Sequence, residues 1–351
     1  MDALHTHNLY KDIQSRTGGE IYIGVVGPVR TGKSTFIKRF MDIMVLPYMT
    51  QEHEKERARD ELPQSAGGKT ITTTEPKFIP KEAAKITLNE DIDVNVRLID
   101  CVGYMVDGAS GHMEEDVERM VKTPWSSEEI PFTQAAEIGT RKVINDHSTI
   151  GIVITCDGSF SEIPRENYIP AEERTIQELK KIHKPFIVLV NSEKPYSEET
   201  KKLTNDIAKK YQVSAMSVNC EQLKKDDIHT IMENILYEFP LTMIEFYMPK
   251  WVEMLPNTHR MKADIIAQIK ELMGRLSCVR DVIGNSIMLE SDYIRKCKMD
   301  GVDMASGCVS VSLDVDDSYY YEMLSDLIGE SITGEYQLLS ILKDMAKMKK
   351  E

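Results

Sequence analysis

The sequence predicts an α/β fold: a mostly parallel sheet with one antiparallel strand, followed by a smaller α+β region. Three observations predict it. Short apolar runs alternate with helix-favouring stretches from residue 20 to about 240, a glycine-rich turn joins the first run to the first helix, and the composition changes after Pro240. Uninterrupted apolar runs are the mark of parallel strands covered on both faces, whereas a strand with one wet face alternates.

The elements follow in order. EIYIGVV (20–26) is β-branched and apolar, ends at Gly27 and leads into the helical STFIKRFMDIMVL. FIPKEAAKITL and IDVNVRLID read as a hairpin turning at NEDID, which supplies the antiparallel strand. Amphipathic TQAAEIGTRKVINDHS, apolar TIGIVITCD, helical AEERTIQELKKIH, apolar PFIVLVN, helical EETKKLTNDIAKKY, apolar VSAMSV and helical DIHTIMENILYEF complete the series. Beyond Pro240 the pattern changes: 261–298 predicts one long amphipathic helix or a kinked pair. The run 308–316 alternates Val309, Val311, Leu313 and Val315 with Ser310, Ser312, Asp314 and Asp316, as a half-buried strand does, and helices are expected near 317–328 and 333–350. The expected domains are therefore 1–240 and 241–351.

Size and charge bound the function. The 351 residues carry 43 Lys and Arg against 57 Asp and Glu, a formal charge of -14, with 41% hydrophobic and 28% charged residues. That is long enough for two ordinary cores and too acidic for a dedicated nucleic-acid binder, so no nucleic-acid partner is expected. No run approaches the roughly 20 apolar residues of a spanning helix, and MDALHTHNLYKD has neither a basic nor an apolar leader region. Six cysteines without a CxxC pair suit reduced thiols in the cytoplasm better than zinc or disulfides.

Residues 27–34, GPVRTGKS, match the P-loop pattern in full and lie between strand and helix, where the mechanism needs them. The chain thus reads as a P-loop NTPase. Gly27 and Gly32 let successive backbone N–H groups converge on an anion at a helix N-terminus. The cradle comprises Gly27, Pro28, Val29, Arg30, Thr31, Gly32, Lys33, Ser34 and Thr35; Lys33 supplies the charge for the β- and γ-phosphates and Ser34 a hydroxyl for Mg²⁺. Arg30 reads either as a transition-state cation or as a solvent-facing residue of the turn.

Holding the metal and sensing the last phosphate require a second element, and VNVRLIDCVG meets the need. Asp100 ends a strand as the metal carboxylate, and Gly103 can present its N–H to the γ-phosphate. Among Thr70, Thr72, Thr73 and Thr74, the last two lie nearest the following strand and are the favoured switch threonines, Thr73 also reaching Mg²⁺; the alternative is simple β-propensity. Asp107 and His112, in the loop after Asp100, are weaker candidates for positioning water.

The strand PFIVLVN ends in Asn191, Ser192, Glu193 and Lys194, where guanine-specific proteins carry Asn-Lys-x-Asp. Asn191 stays a nucleotide-side candidate. A lysine in place of the aspartate cannot accept guanine's two N–H donors, so ATP is the expected nucleotide. Tyr104 stands where many such proteins place a water-orienting glutamine, so hydrolysis must recruit another group or run slowly.

GPVRTGKST, DELPQSAGGKTITTTEPKF, LIDCVGY, TPW, IPFTQAAEIGTRKVI, HSTIGIVIT and YEFP together resemble the stage IV sporulation protein A family across essentially the whole chain. The resemblance implies a GTPase-derived fold turned ATPase, with hydrolysis driving assembly into filaments that form the basal layer of the bacterial spore coat. It implies Lys33 as the essential lysine, Asp100 as the metal carboxylate and Thr73 and Thr74 as sensors, with ATP and Mg²⁺ as cofactors. The implied location is the mother-cell cytoplasm at the outer surface of the forespore. Implied partners are further copies of the chain, a small amphipathic peptide that marks curved membrane, and a LysM-containing coat protein; contact with the forespore membrane is indirect. Family members continue into another C-terminal domain, which is expected to be missing here. Two other readings stay open: a GTP-dependent switch, and a nucleotide-binding scaffold without turnover.

Overall fold

A strand that is apolar over most of its length is stable only inside a sheet, and EIYIGVV forms such a strand in the computed structural model, which describes residues 9–63, 75–88, 92–109, 113–114, 117–160, 162–283 and 287–348. The chain divides into two compact units, a larger one up to Pro240 that also takes in Met304–Ser306, and a smaller one of Leu241–Asp303 and the residues from Gly307 onward. The larger begins with α1 (Leu9–Thr17), β1 (Glu20–Val26), α2 (Lys33–Phe40) and α3 (Glu52–Asp60), followed by β2 (Lys77–Leu88) and β3 (Ile92–Asp100). Two short hairpins come next, β4 (Met113–Glu114) with β5 (Val117–Glu118) and β6 (Met120–Val121) with β7 (Ile130–Pro131). Then follow α4 (Phe132–Lys142), β8 (Ile150–Cys156), α5 (Arg165–Lys181), β9 (Phe186–Asn191), α6 (Glu198–Tyr211), β10 (Ala215–Val218) and α7 (Lys225–Tyr237).

The main sheet has the order β10-β9-β8-β1-β3-β2. All pairs are parallel except β2 with β3, which is the α/β architecture the alternating pattern predicts. Every residue of β8 and β9 is buried, because helices cover both faces. On one face Ile176, Leu179, Ile207 and Tyr211 of α5 and α6 pack with Val26, Val153, Val188 and Val190; α1, α2 and α7 lie on sheet strands as well. A buried Ile or Val contributes about 1.5–3 kcal/mol, so these layers hold the strand ends, and the loops leaving them, in register.

The smaller unit contains β11 (Met243–Tyr247), α8 (Lys250–Met254), α9 (Arg260–Met273), α10 (Val279–Ile283), β12 (Ile294–Asp303), β13 (Cys308–Val315), α11 (Asp317–Ile328) and α12 (Glu335–Met348). Its sheet has the order β11-β13-β12. The alternating residues Val309, Val311, Leu313 and Val315 of β13 face Val252, Met261, Ile265 and Val282 in one core.

One expectation is corrected. The long helix or kinked pair expected over 261–298 is α9, which stops at Met273 with Gly274 as its cap, and the short α10, while the residues from Ile294 onward form β12, antiparallel to β13. Their charged run IRKCKMD reads as a helix face because a three-stranded sheet leaves β12 largely exposed, so little apolar alternation is needed. Between the first helix and the hairpin the structure adds α3, which the sequence reading does not list; Ala58 alone of it is buried, too little for an apolar stripe to appear in the sequence.

Candidate functional site

The C-terminal ends of β1, β3, β8 and β9 bring the predicted residues to one edge of the sheet. The turn after β1 closes on itself: Pro28 O accepts from Lys33 Nζ at 2.5 Å and from Thr31 Oγ1 at 3.1 Å. Thr31, Val29 and Pro28 are buried, Arg30 is exposed with a positive φ of 60°, and Gly32, Ser34 and Thr35 are half-buried. The helix that follows starts at Lys33, with Gly32 as its left-handed N-cap at φ 94°. A Cβ on Gly32 would stand 2.4 Å from Asn191 Nδ2, so the turn can approach the end of β9 only with glycine here. The free N–H groups of a helix start that also carries a lysine favour an anion.

Lys33 is 5% exposed. Burial pushes its ammonium below the usual lysine range, opposed by the negative charge of Asp100. An ammonium resting on a single carbonyl is poorly compensated, and phosphate oxygens would satisfy it better.

Opposite Lys33, Ser34 Oγ donates to Asp100 Oδ2 at 2.8 Å. The second oxygen, Asp100 Oδ1, is shielded from solvent and has no hydrogen-bond partner. Burial pushes the carboxyl above its usual range, against the Ser34 hydrogen bond and the Lys33 charge. A hydroxyl in contact with a carboxylate whose second oxygen is orphaned fits a hard divalent cation that takes most of its oxygens from phosphate and water.

Gly103 completes the ring. Its φ is 95°, and a Cβ there would meet Gly27 O at 2.1 Å and Lys33 Nζ at 2.7 Å. The loop after β3 therefore crosses directly over the phosphate turn, and only glycine permits it. Tyr104 N donates to Gly27 O at 3.2 Å and Val29 N to Tyr104 O at 2.9 Å.

Some predicted residues play other parts. Asn191 Nδ2 donates to Thr31 O at 3.0 Å, and Asn191 Oδ1 accepts from Cys220 N at 3.0 Å. Its amide thus ties the phosphate turn to the ends of β9 and β10 and acts on the site through the backbone. Asp107 is exposed, and its carbonyl accepts from Asn167 Nδ2 at 2.9 Å. Thr70, Thr72, Thr73, Thr74 and His112 lie outside the described residues. Cys101, Cys156, Cys220 and Cys278 are buried thiols, while Cys297 and Cys308 are half-buried. Lys194 is exposed at the end of β9.

Sequence reasoning passed over the partners of Tyr104. This tyrosine is 2% exposed, with its hydroxyl donated to Glu178 and its ring 4.5 Å beneath the Arg174 guanidinium. Arg174 and Glu178 stand four residues apart on α5 and look like an ordinary solvated helix pair. The signal available was a large aromatic directly after a sensor glycine.

Comparison with known proteins locates the chain. The family model described as stage IV sporulation protein A, ATPase domain, matches residues 4–240, and that of stage IV sporulation protein A, middle domain, matches 241–351. The chain is similar to the stage IV sporulation protein A of Clostridioides difficile (strain 630), with 46% identity over 346 residues, 98% of this chain and 70% of that protein. It is also 44% identical to the proteins of that name from Bacillus subtilis (strain 168) and Bacillus anthracis, over 98% of this chain and 70% of each relative.

Proposed function

The chain belongs to the stage IV sporulation protein A family, and from that premise we propose that it is a Mg²⁺-dependent ATPase whose nucleotide state controls its own assembly into filaments of the basal spore-coat layer. The observation that carries the ATPase reading is the closed set of Lys33, Ser34, Asp100 and Gly103: a buried ammonium, a hydroxyl on a carboxylate with an orphaned oxygen, and a glycine loop pressed on the phosphate turn, gathered where the end of β3 meets the start of α2.

In this reading Lys33 leaves Pro28 O for the β- and γ-phosphate oxygens, and the N–H groups from Gly32 to Thr35 receive the phosphates at the start of α2. Ser34 would hold Mg²⁺ directly and Asp100 through an ordered water, with Thr73 as a further ligand; when bound, the cation neutralises charge on the β- and γ-oxygens. Gly103 directs its N–H at the last phosphate, so the loop that follows responds to whether that phosphate is present. Lys194 has three donors and no acceptor, which favours adenine over guanine at the end of β9.

A second reading, nucleotide binding without turnover, draws support from Tyr104. Its side chain is committed to Glu178 and Arg174, so the residue after Gly103 has no group left to orient water. Phosphate release beyond one per chain would exclude this reading.

We place the protein in the mother cell at the outer forespore surface. Its partners there are other copies of itself, a small amphipathic peptide that marks curved membrane, and a LysM-containing coat protein. The experiment is sedimentation of the purified chain with Mg·ATP, with a non-hydrolysable analogue and without nucleotide. Pelleting with Mg·ATP alone supports the proposal, and pelleting indifferent to nucleotide contradicts it.

A further inference from the structure

Gly103 does not hold its own loop in place. The next residue forms a parallel bridge with Pro28 through two backbone hydrogen bonds, one to Gly27 O and one from Val29 N. The side chain of the bridging residue, Tyr104, is held as well. It packs with Val29, Val106, Cys156, Ile163 and Tyr168, its hydroxyl donates to Glu178, and Arg174 covers its ring at 4.5 Å.

Both α5 partners are themselves anchored on α4. Arg174 makes a two-pronged contact with Glu137, at 2.6 and 2.7 Å, and Glu178 faces Arg141 at 3.7 Å. The hydrogen bond to the Glu178 carboxylate is part-buried and charge-assisted, and the exposed Arg174 guanidinium adds a weaker contact on the face of the same ring. The residue after the sensor glycine is therefore held by α5, which is itself tied to α4.

We propose that Tyr104 is a positioning residue for phosphoryl transfer: held by Arg174 and Glu178, it fixes the Gly103 loop against the phosphate turn, where the γ-phosphate would be received. The proposal rests on the ATP-site reading given above. A tyrosine that only stabilised the fold would act equally on every nucleotide state. A positioning residue acts on states that contain the last phosphate, since preorganised donors help only where charge is to be received.

The test uses the whole chain with Tyr104→Phe, which removes the hydroxyl and keeps the ring, and Arg174→Gln, which removes the cation over it. For each variant kcat and KM for Mg·ATP are measured, together with calorimetric affinities for Mg·ADP and a non-hydrolysable Mg·ATP analogue, and the melting temperature. The expected result for Tyr104→Phe is an ADP affinity within about twofold of wild type, with kcat and the analogue-over-ADP preference both reduced about tenfold, the size of one lost charge-assisted hydrogen bond. Arg174→Gln moves the same two quantities in the same direction, and it carries the test if the tyrosine variant fails to fold. Unchanged kcat and preference in both variants, or equal losses of ADP and analogue affinity, would overturn the proposal. If the wild-type chain binds neither nucleotide, the ATP-site reading falls with it; if wild type turns over Mg·ATP and the variants match it, this proposal alone falls.

Discussion

Ser34 and Asp100, sixty-six residues apart in the chain, meet through a 2.8 Å hydrogen bond that leaves Asp100 Oδ1 shielded and unpartnered. The serine belongs to the helix after the first strand and the aspartate to the end of its parallel neighbour, so the β1–β3 register, which pairs Val25 with Asp100, sets the contact. A pair of this kind accounts for itself best as half of a cation site.

Replacing the aspartate tests that role. Asp100→Ala should lower kcat about a hundredfold, a loss of roughly 3 kcal/mol in transition-state stabilisation, and flatten the Mg²⁺ dependence while some nucleotide binding survives. Steady-state phosphate release against Mg²⁺ concentration measures it. Normal metal dependence in the variant would reduce Asp100 to an ordinary strand end.

Lys33 is placed for a ligand, so Lys33→Ala should abolish nucleotide binding without unfolding the chain, as seen by calorimetry and circular dichroism. The pH dependence has a definite sign. Burial holds the folded-state pKa of Lys33 below its ordinary value of 10.5, so the charged lysine disfavours the nucleotide-free fold. That penalty is full at low pH and fades as pH rises through the folded-state pKa toward the unfolded one. Melting temperatures of the nucleotide-free proteins should shift in favour of wild type relative to Lys33→Ala as the solution becomes alkaline. The opposite trend would contradict a buried, uncompensated ammonium.

Gly103 tolerates no side chain, because a Cβ would stand 2.1 Å from Gly27 O. Gly103→Ala should displace the loop from the phosphate turn and remove most of the turnover, while Mg·ADP affinity stays close to wild type. A fully active variant would show that the loop is not engaged with the last phosphate.

Asn191 acts at the base of the cradle. Asn191→Ala leaves Thr31 O and Cys220 N without their partner, at a cost of about 1–3 kcal/mol for unsatisfied buried groups. Chemical denaturation should show that loss together with weaker binding of both ADP and ATP. Unchanged stability would mean that the phosphate turn holds its shape unaided.

The architecture around the site is legible in the sequence wherever burial is complete. TIGIVITC and FIVLVN can only be inner strands, and GPVRTGKS between a strand and a helix has one main reading. Legibility fails where an element gains little from burial. The strand Ile294–Asp303 carries charge on its open side, and α3 buries a single alanine, so neither writes an apolar period into the sequence. Within the site, residue types reveal which groups could touch a phosphate and not which neighbours hold them. Asn191 reads as a nucleotide contact, yet both ends of its amide are taken by Thr31 and Cys220, a pairing that depends on how closely two turns approach in space. Tyr104 reads as a missing glutamine, and its true surroundings come from two helices farther along the chain.

The most direct measurement is a calorimetric titration of Mg·ATP into the purified chain, with Lys33→Ala titrated in parallel. Wild type should show one saturable site per chain, displaced by excess ADP and not by an equal excess of GTP, and the variant no binding heat. A wild-type chain that takes up no Mg·ATP, or a Lys33→Ala chain that binds it as well as wild type, would contradict the ATP-site reading.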